Sequence, residues 1–193
     1  MAEIQGPQRL GPLTPLVGQW QGNVGVDVSY RHIDDETTTT GYFEKFWFNP
    51  IPAQQNGDQI LEGLKYGNQA WRHGEEAMNP FHDEVGYLLW DEKRGQIMRV
   101  VVFGRGIAIL AGGDAGKRDK QLKFKATPGD PNYGILQNKH LSEEAELISF
   151  DSVFTFDDAD TFSYDQTLVL RIPAAGGQMD HTDRNTLQRV KED

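Results

Sequence analysis

The chain has 193 residues, a length that suits one domain with a sizeable core, and a formal net charge of −10. An acidic chain repels phosphate backbones and anionic headgroups, so we expect neither nucleic acid nor membrane surfaces as partners. There is no cysteine, which excludes disulfides and thiolate chemistry and fits a reducing cytoplasm. No apolar run reaches transmembrane length, so we expect no membrane insertion.

The first elements are a leader and two long strands. Residues 1–12 are predicted to be a flexible leader, and residues 13–193 a single domain. After a strand that starts near Gly18, residues 37–48 alternate regularly and carry aromatic side chains on both faces. The prolines that follow, in Pro50-Ile51-Pro52, are predicted to end this strand.

The rest of the chain continues as short strands separated by turn residues. The patterns predict strands at about 59–71, 85–90, 96–103, 107–111, 122–126, 149–156, 161–172 and 182–190. The irregular segment 127–148 is predicted to lie across one end of the fold, with a plain surface excursion as the alternative. No apolar stripe with helical spacing of useful length is present. We therefore predict an all-β fold, a single antiparallel barrel of about ten strands with little helix, resembling lipocalins and fatty-acid-binding proteins.

The residues show no catalytic machinery. The five histidines include no pair at metal-ligand spacing on a helix, and no Gly-x-Ser-x-Gly motif occurs. A barrel of this size can enclose one small apolar ligand, which favours a carrier or a cofactor protein. The side chains predicted to line its interior are Trp20, Tyr42, Phe46, Trp71, Tyr87, Val102 and Tyr164. A small-molecule enzyme that uses His82 and Glu84 is a third hypothesis.

Several segments along nearly the whole chain resemble the nitrobindin family of small haem-binding β-barrels. The opening Pro-Leu-x-x-Leu-x-Gly-x-Trp-x-Gly motif of that family is similar to residues 12–22, and its His-x-Glu-x-Gly-Tyr stretch is similar to residues 81–88. Further similar segments are 42–45, 69–72, 100–112, 180–181 and 187–189.

The resemblance implies a ten-stranded barrel with haem b at its open end and a C-terminal histidine as the axial iron ligand. On this sequence that ligand, and so the only predicted metal-binding residue, is His181. In the family the ferric haem reacts with nitric oxide and converts peroxynitrite to nitrate, so the resemblance implies a peroxynitrite isomerase. Haem would then also contact the predicted lining residues.

The spacing after His181 differs from the family pattern, because Leu187 follows one residue later than in the family. One residue reverses the face of a strand. Either a bulge near Asp183 restores the register, or His181 points away from the interior, which would favour a haem-free carrier of a fatty acid or another apolar molecule. Asp180 and Asp183 are candidate hydrogen-bond acceptors for the His181 ring, or they mark a solvated turn.

Overall fold

The computed structural model describes residues 9–156 and 158–191. Within them lie eleven strands, two short 3-10 helices (Gly11–Leu16 and Pro173–Ala175) and one helix, α1 (Lys139–Glu144). The strands are β1 (Gly18–Arg31), β2 (Glu36–Asn56), β3 (Gln59–Arg72), β4 (His82–Asp91), β5 (Gln96–Phe103), β6 (Ile107–Asp114), β7 (Gln121–Ala126), β8 (Ile135–Gln137), β9 (Glu146–Phe156), β10 (Thr161–Ile172) and β11 (Gly177–Arg189). None of the helices in this part of the chain is long and apolar enough to cross a membrane.

Ten of these strands form a closed antiparallel ring, as the sequence predicted. Hydrogen bonds join β5-β4-β3-β2-β1-β11-β10-β9-β7-β6, and the β5–β6 pairing closes the circle. The eleventh strand, β8, pairs with the first three residues of β6, beside the short β7. Closure leaves no open sheet edge around the barrel, and one face of every strand must point inward.

The first 3-10 helix closes one end of the barrel. Leu13 and Leu16 are fully buried, and the Trp20 indole N–H donates a 2.7 Å hydrogen bond to the Leu16 carbonyl oxygen. Arg189, from the last strand, donates to the carbonyl oxygens of Pro15 and Val17 at 2.7 and 2.6 Å. The opposite end is therefore the open one, and we call it the mouth.

Part of the predicted leader belongs to this closed end. Leu10 and Pro12 are buried, and the backbone of Gly11 lies against the Trp90 ring with φ +52°. Residues 1–8 of the predicted leader lie outside the described residues.

The prediction that Pro50 and Pro52 end the second strand is wrong, since β2 continues to Asn56. The β1–β2 ladder stops at Phe48, so residues 49–56 pair only with β3. Prolines are tolerated where a strand is paired on one side only, and Pro52 lies within the register shift between Ile51 and Gln54.

The segment 127–148 is part of the barrel wall rather than a cover across its end. Ile135 pairs with Ile109 and is 6% exposed, and the Gln137 side chain accepts a hydrogen bond from the Leu147 backbone N–H. Among the described residues, those that line the pocket at the mouth include none from this segment. The segment fills the wall between β6 and β9 because β7 is too short to do so.

Candidate functional site

The barrel interior changes character from the closed end to the mouth. Along the inner face of β2 the order is Phe48, Phe46, Glu44 and Tyr42, and β10 opposes it with Phe162, Tyr164, Gln166 and Leu168. The closed end is an aromatic cluster in which the Phe46 and Phe48 rings stack 5.4 Å apart. Buried polar groups form the middle layer, and a pocket opens above them.

The mouth pocket has about 320 Å³ of space free of protein atoms, part of it open to solvent. The polar and charged side chains that line it are Glu44, Asn68, Glu84, Arg99, Gln166 and Asp183, and His82 lies at its rim. The remaining lining is apolar or aromatic, from Tyr42, Phe46, Ala70, Phe81 and Tyr164. The side-chain oxygen of Asn68 is buried without a hydrogen-bond partner, so the pocket holds one free acceptor.

Four of the predicted lining residues lie in the interior. Tyr42, Phe46 and Tyr164 line the pocket. Trp20 is 1% exposed but lies deeper, where its ring packs edge-on against Phe162.

The interior position predicted for Tyr87, Val102 and Trp71 is wrong. Tyr87 and Val102 are 41% and 46% exposed and lie on the outer face. Trp71 also lies outside, 6.1 Å from Phe43 between ring centres, and its indole N–H donates to the Met78 carbonyl oxygen. Aromatic residues occupy both faces of these strands, so apolar character alone did not identify the inner one.

His181 faces the interior at the mouth. The β10–β11 ladder runs without a register shift, and it places His181 opposite the buried Leu168, just as Leu187 opposes the buried Phe162. Leu187 lies six positions after His181, an even number, so both side chains point inward in a regular strand. No bulge is needed near Asp183, and the residues read as a turn from the sequence belong to β11.

Two carboxylates hold the His181 ring. Its Nε2 lies 2.9 Å from Oδ1 of Asp27 and 3.4 Å from Oδ2 of Asp183. Burial lowers the pKa of His181, but the hydrogen bonds and charges of Asp183 and Asp27 outweigh it and raise that pKa to about 10. Asp27 is 4% exposed, and the Ser29 hydroxyl donates to its other oxygen at 2.7 Å. Asp180 lies on the outer face and is exposed, so only Asp183 of the two predicted acceptors is in place.

Glu44 is the centre of the polar layer. Tyr164 donates its hydroxyl to both carboxylate oxygens at 2.9 and 3.1 Å, and the Asn68 and Asn185 amides donate as well. Burial raises the pKa of Glu44, and the three donors offset part of that rise, leaving the pKa at about 7. The carboxyl group thus titrates near neutral pH beneath the pocket.

A buried ion pair completes this layer. The Arg99 guanidinium donates to Glu84 Oε1 at 2.6 Å, to the Tyr66 hydroxyl at 3.0 Å and to Ser152 and Gln166 at 2.9 Å each. Burial raises the pKa of Glu84, but Arg99 and the neighbouring imidazole outweigh it and lower that pKa to about 2. Glu84 therefore stays ionised and fixes Arg99 in place.

His82 meets this carboxylate from the rim, with its Nε2 3.3 Å from Glu84 Oε2. The two residues of the third hypothesis are therefore in contact. A Glu84 that stays ionised cannot act as a general acid, but it accepts a hydrogen bond from His82 and so orients that ring.

Sequence reasoning missed Asp27, Glu44 and Arg99. The sequence pattern could have identified Glu44 and Arg99, because each is a charged residue on an otherwise apolar strand face. No such pattern identifies Asp27, since it lies 154 residues from the histidine that it contacts.

Comparison with known proteins agrees with this architecture. Residues 9–189 match the family model described as "THAP4-like, heme-binding beta-barrel domain". The solved structure of Rv2717c from M. tuberculosis has the same fold, with a TM-score of 0.68 and 21% sequence identity over 96% of this chain and 99% of that chain. No curated protein matches the chain significantly. The family match spans nearly all of the barrel, and the chain belongs to the THAP4-like, haem-binding β-barrel domains of nitrobindin type.

Proposed function

We propose that the mouth pocket binds haem b with His181 as the axial ligand, and that the ferric haem converts peroxynitrite to nitrate. The observation that carries this proposal is the inward direction of His181, in an unbroken ladder at the open end of the barrel. Membership of a haem-binding family is the reason to propose haem. The geometry is the reason to propose the imidazole of His181, on the C-terminal strand, as its ligand.

A flat group that entered from the mouth would meet aromatic side chains and the buried polar layer below them. Phe81 and Tyr42 form an aromatic pair with ring centres 5.9 Å apart, and Ala70 leaves space beside them. When bound, a ferric haem with one imidazole ligand supplies a second iron face to a small oxidant. The unpaired Asn68 oxygen offers a hydrogen-bond acceptor on the same side of the polar layer.

The Asp27 and Asp183 carboxylates set a condition on this binding. A protonated imidazole nitrogen has no free lone pair for iron. His181 must therefore lose its Nε2 proton, which the two carboxylates stabilise on the ring. At pH 7, a pKa of about 10 weakens ligation by a factor of about 10³ relative to a deprotonated ring. Both carboxylates contact Nε2, the nitrogen that would bind iron, so ligation replaces their hydrogen bonds to the ring.

The polar layer argues against the alternative of a fatty-acid carrier. Glu44, Glu84 and Arg99 are buried between the mouth and the aromatic cluster. An aliphatic chain that extended into the barrel would break their hydrogen bonds and desolvate the Arg99–Glu84 ion pair, which is costly. A ligand held at the mouth avoids that cost.

Hemin titration of the wild type and of His181→Ala tests the proposal. We expect a Soret band with one equivalent of hemin for the wild type, and an altered spectrum with at least tenfold weaker affinity for His181→Ala. His140→Ala is the matched control, because His140 is exposed on α1. An unchanged spectrum and affinity in His181→Ala would refute the axial assignment.

The reaction is tested separately on haem-loaded protein. We expect loaded wild type to speed peroxynitrite decay and to raise the nitrate yield, relative to hemin-free protein. If haem binds but the decay and yield do not change, the proposed reaction is wrong although the cofactor assignment stands.

A further inference from the structure

We propose that Asp27, His181 and Asp183 form a mononuclear binding site for a first-row divalent cation, such as Zn²⁺, in the haem-free barrel. The three donor atoms come from two neighbouring strands and lie within 4.8 Å of one another. The cation binds His181 Nε2, so it and the haem iron compete for the same nitrogen.

The separations of the donor atoms match those around such an ion. Donors about 2.1 Å from a metal are about 3.0 Å apart at right angles and about 3.4 Å apart at a tetrahedral angle. The observed distances from His181 Nε2 are 2.9 Å to Asp27 and 3.4 Å to Asp183. The third separation, between the Asp27 and Asp183 oxygens, is within 4.8 Å.

The charges also favour a divalent ion. The Asp27 and Asp183 carboxylates bring two negative charges to a site where Asp27 is 4% exposed. A dication bound by them and by a neutral imidazole makes the cluster neutral. Within residues 9–156 and 158–191, no lysine or arginine forms an ion pair with either carboxylate.

Support from neighbouring groups and room for further ligands are both present. The Ser29 hydroxyl holds the second oxygen of Asp27, which fixes the carboxylate that points at the site. Of the three donors, Asp183 lines the mouth pocket, whereas Asp27 and His181 are not among its lining residues. One imidazole with two carboxylates is a donor set that Zn²⁺, Co²⁺, Fe²⁺ and Mn²⁺ accept.

The test is a titration of the haem-free full chain, first treated with a chelator. Co²⁺ binding is followed by its visible absorption and Zn²⁺ binding by calorimetry. We expect one equivalent to bind the wild type, and Asp183→Asn and Asp27→Asn each to weaken the affinity at least tenfold. Asp180→Asn is the matched control, since it removes an exposed charge from the outer face of the same strand.

Three results of this titration would overturn the inference. They are an absence of Co²⁺ and Zn²⁺ binding by the folded wild type, an equal loss in Asp180→Asn, and wild-type affinity in Asp183→Asn. A proton resonance of the His181 ring that does not shift on Zn²⁺ addition would do so as well, and this measurement needs no variant.

Zn²⁺ and hemin should compete for His181, although the metal titration and the hemin titration are independent tests. Zn²⁺ loading should raise the apparent Kd for hemin at least tenfold in the wild type, and much less in Asp183→Asn. Zn²⁺ binding without any such competition would show that Nε2 is not the shared atom. Because the metal titration contains no hemin, a protein that binds Zn²⁺ but not haem refutes the proposed function alone.

Discussion

Replacement of Asp27 by asparagine should tighten haem binding and weaken metal binding at the same time. The substitution keeps the shape of the side chain but removes the charge nearest to His181 Nε2, at 2.9 Å. The pKa of His181 is raised from 6.5 to about 10, and Asp27 is one of the two carboxylates responsible. Asp183 makes the larger contribution, so if Asp27 accounts for a little under half of this rise of about 3.5, the variant lowers that pKa by roughly 1.5 units, or about 2 kcal/mol.

The assay is hemin titration at a series of pH values between 6 and 10. Because hemin competes with the proton, wild-type affinity should rise about tenfold for each pH unit up to the pKa of His181. In Asp27→Asn the affinity at pH 7 should be about 30-fold tighter, by the same arithmetic. Equal affinities at pH 7, or a wild-type affinity that does not change with pH, would refute the reasoning. Asp180→Asn controls for the loss of one negative charge near the histidine.

Three further predictions concern the stability of the barrel and are measured by urea unfolding. The pKa of Glu44 is raised to about 7, so its contribution to stability is present below pH 4.5 and is lost as the pH rises through 7. Glu44→Gln should remove about 3 kcal/mol of that pH dependence. Parallel plots of unfolding free energy against pH for the two proteins would contradict this. Arg99→Met leaves the Glu84 carboxylate buried without its partner and should lower the free energy of unfolding by about 3–5 kcal/mol at pH 7. A second change, Glu84→Gln, should recover part of that loss. A loss below about 1 kcal/mol would show that the ion pair is not the main stabilising contact of the polar layer. Gly11→Ala places a methyl group 2.3 Å from the Trp90 ring at a φ of +52°, so we expect a loss of about 2 kcal/mol or more, and wild-type stability would mean that the helix at the closed end can shift.

The strand count could be predicted from the sequence because it depends on local patterns, whereas closure into a ten-stranded barrel was implied by the family resemblance. Turn residues such as Gly104 and Gly106 separate β5 from β6 where the alternation stops. The inward faces were harder to assign. Tyr87 is as apolar as Tyr42, and only the pairing partners decide that one lies outside and the other inside.

The candidate site was only half visible in the sequence. His181 could be named from the family resemblance, but its direction depends on the register of β11 against β10. Its partner Asp27 comes from the opposite end of the chain, and no local pattern connects two residues so far apart. The buried Glu44 and Arg99 were readable as charged residues on apolar faces, yet a solvated outer face would have produced the same alternation.

The contact between Asp27 and His181 also joins β1 to β11, the first and the last strands of the barrel. The β1–β11 ladder is interrupted between Gln21 and Val26, so it has fewer paired residues than the β10–β11 ladder. Forming the β1–β11 ladder brings together residues 154 positions apart. Contacts between such distant residues are expected to form slowly, because closing a long loop costs conformational entropy. A ligand on His181 would therefore stabilise the step that completes the ring, and the site would exist only in chains that have finished folding.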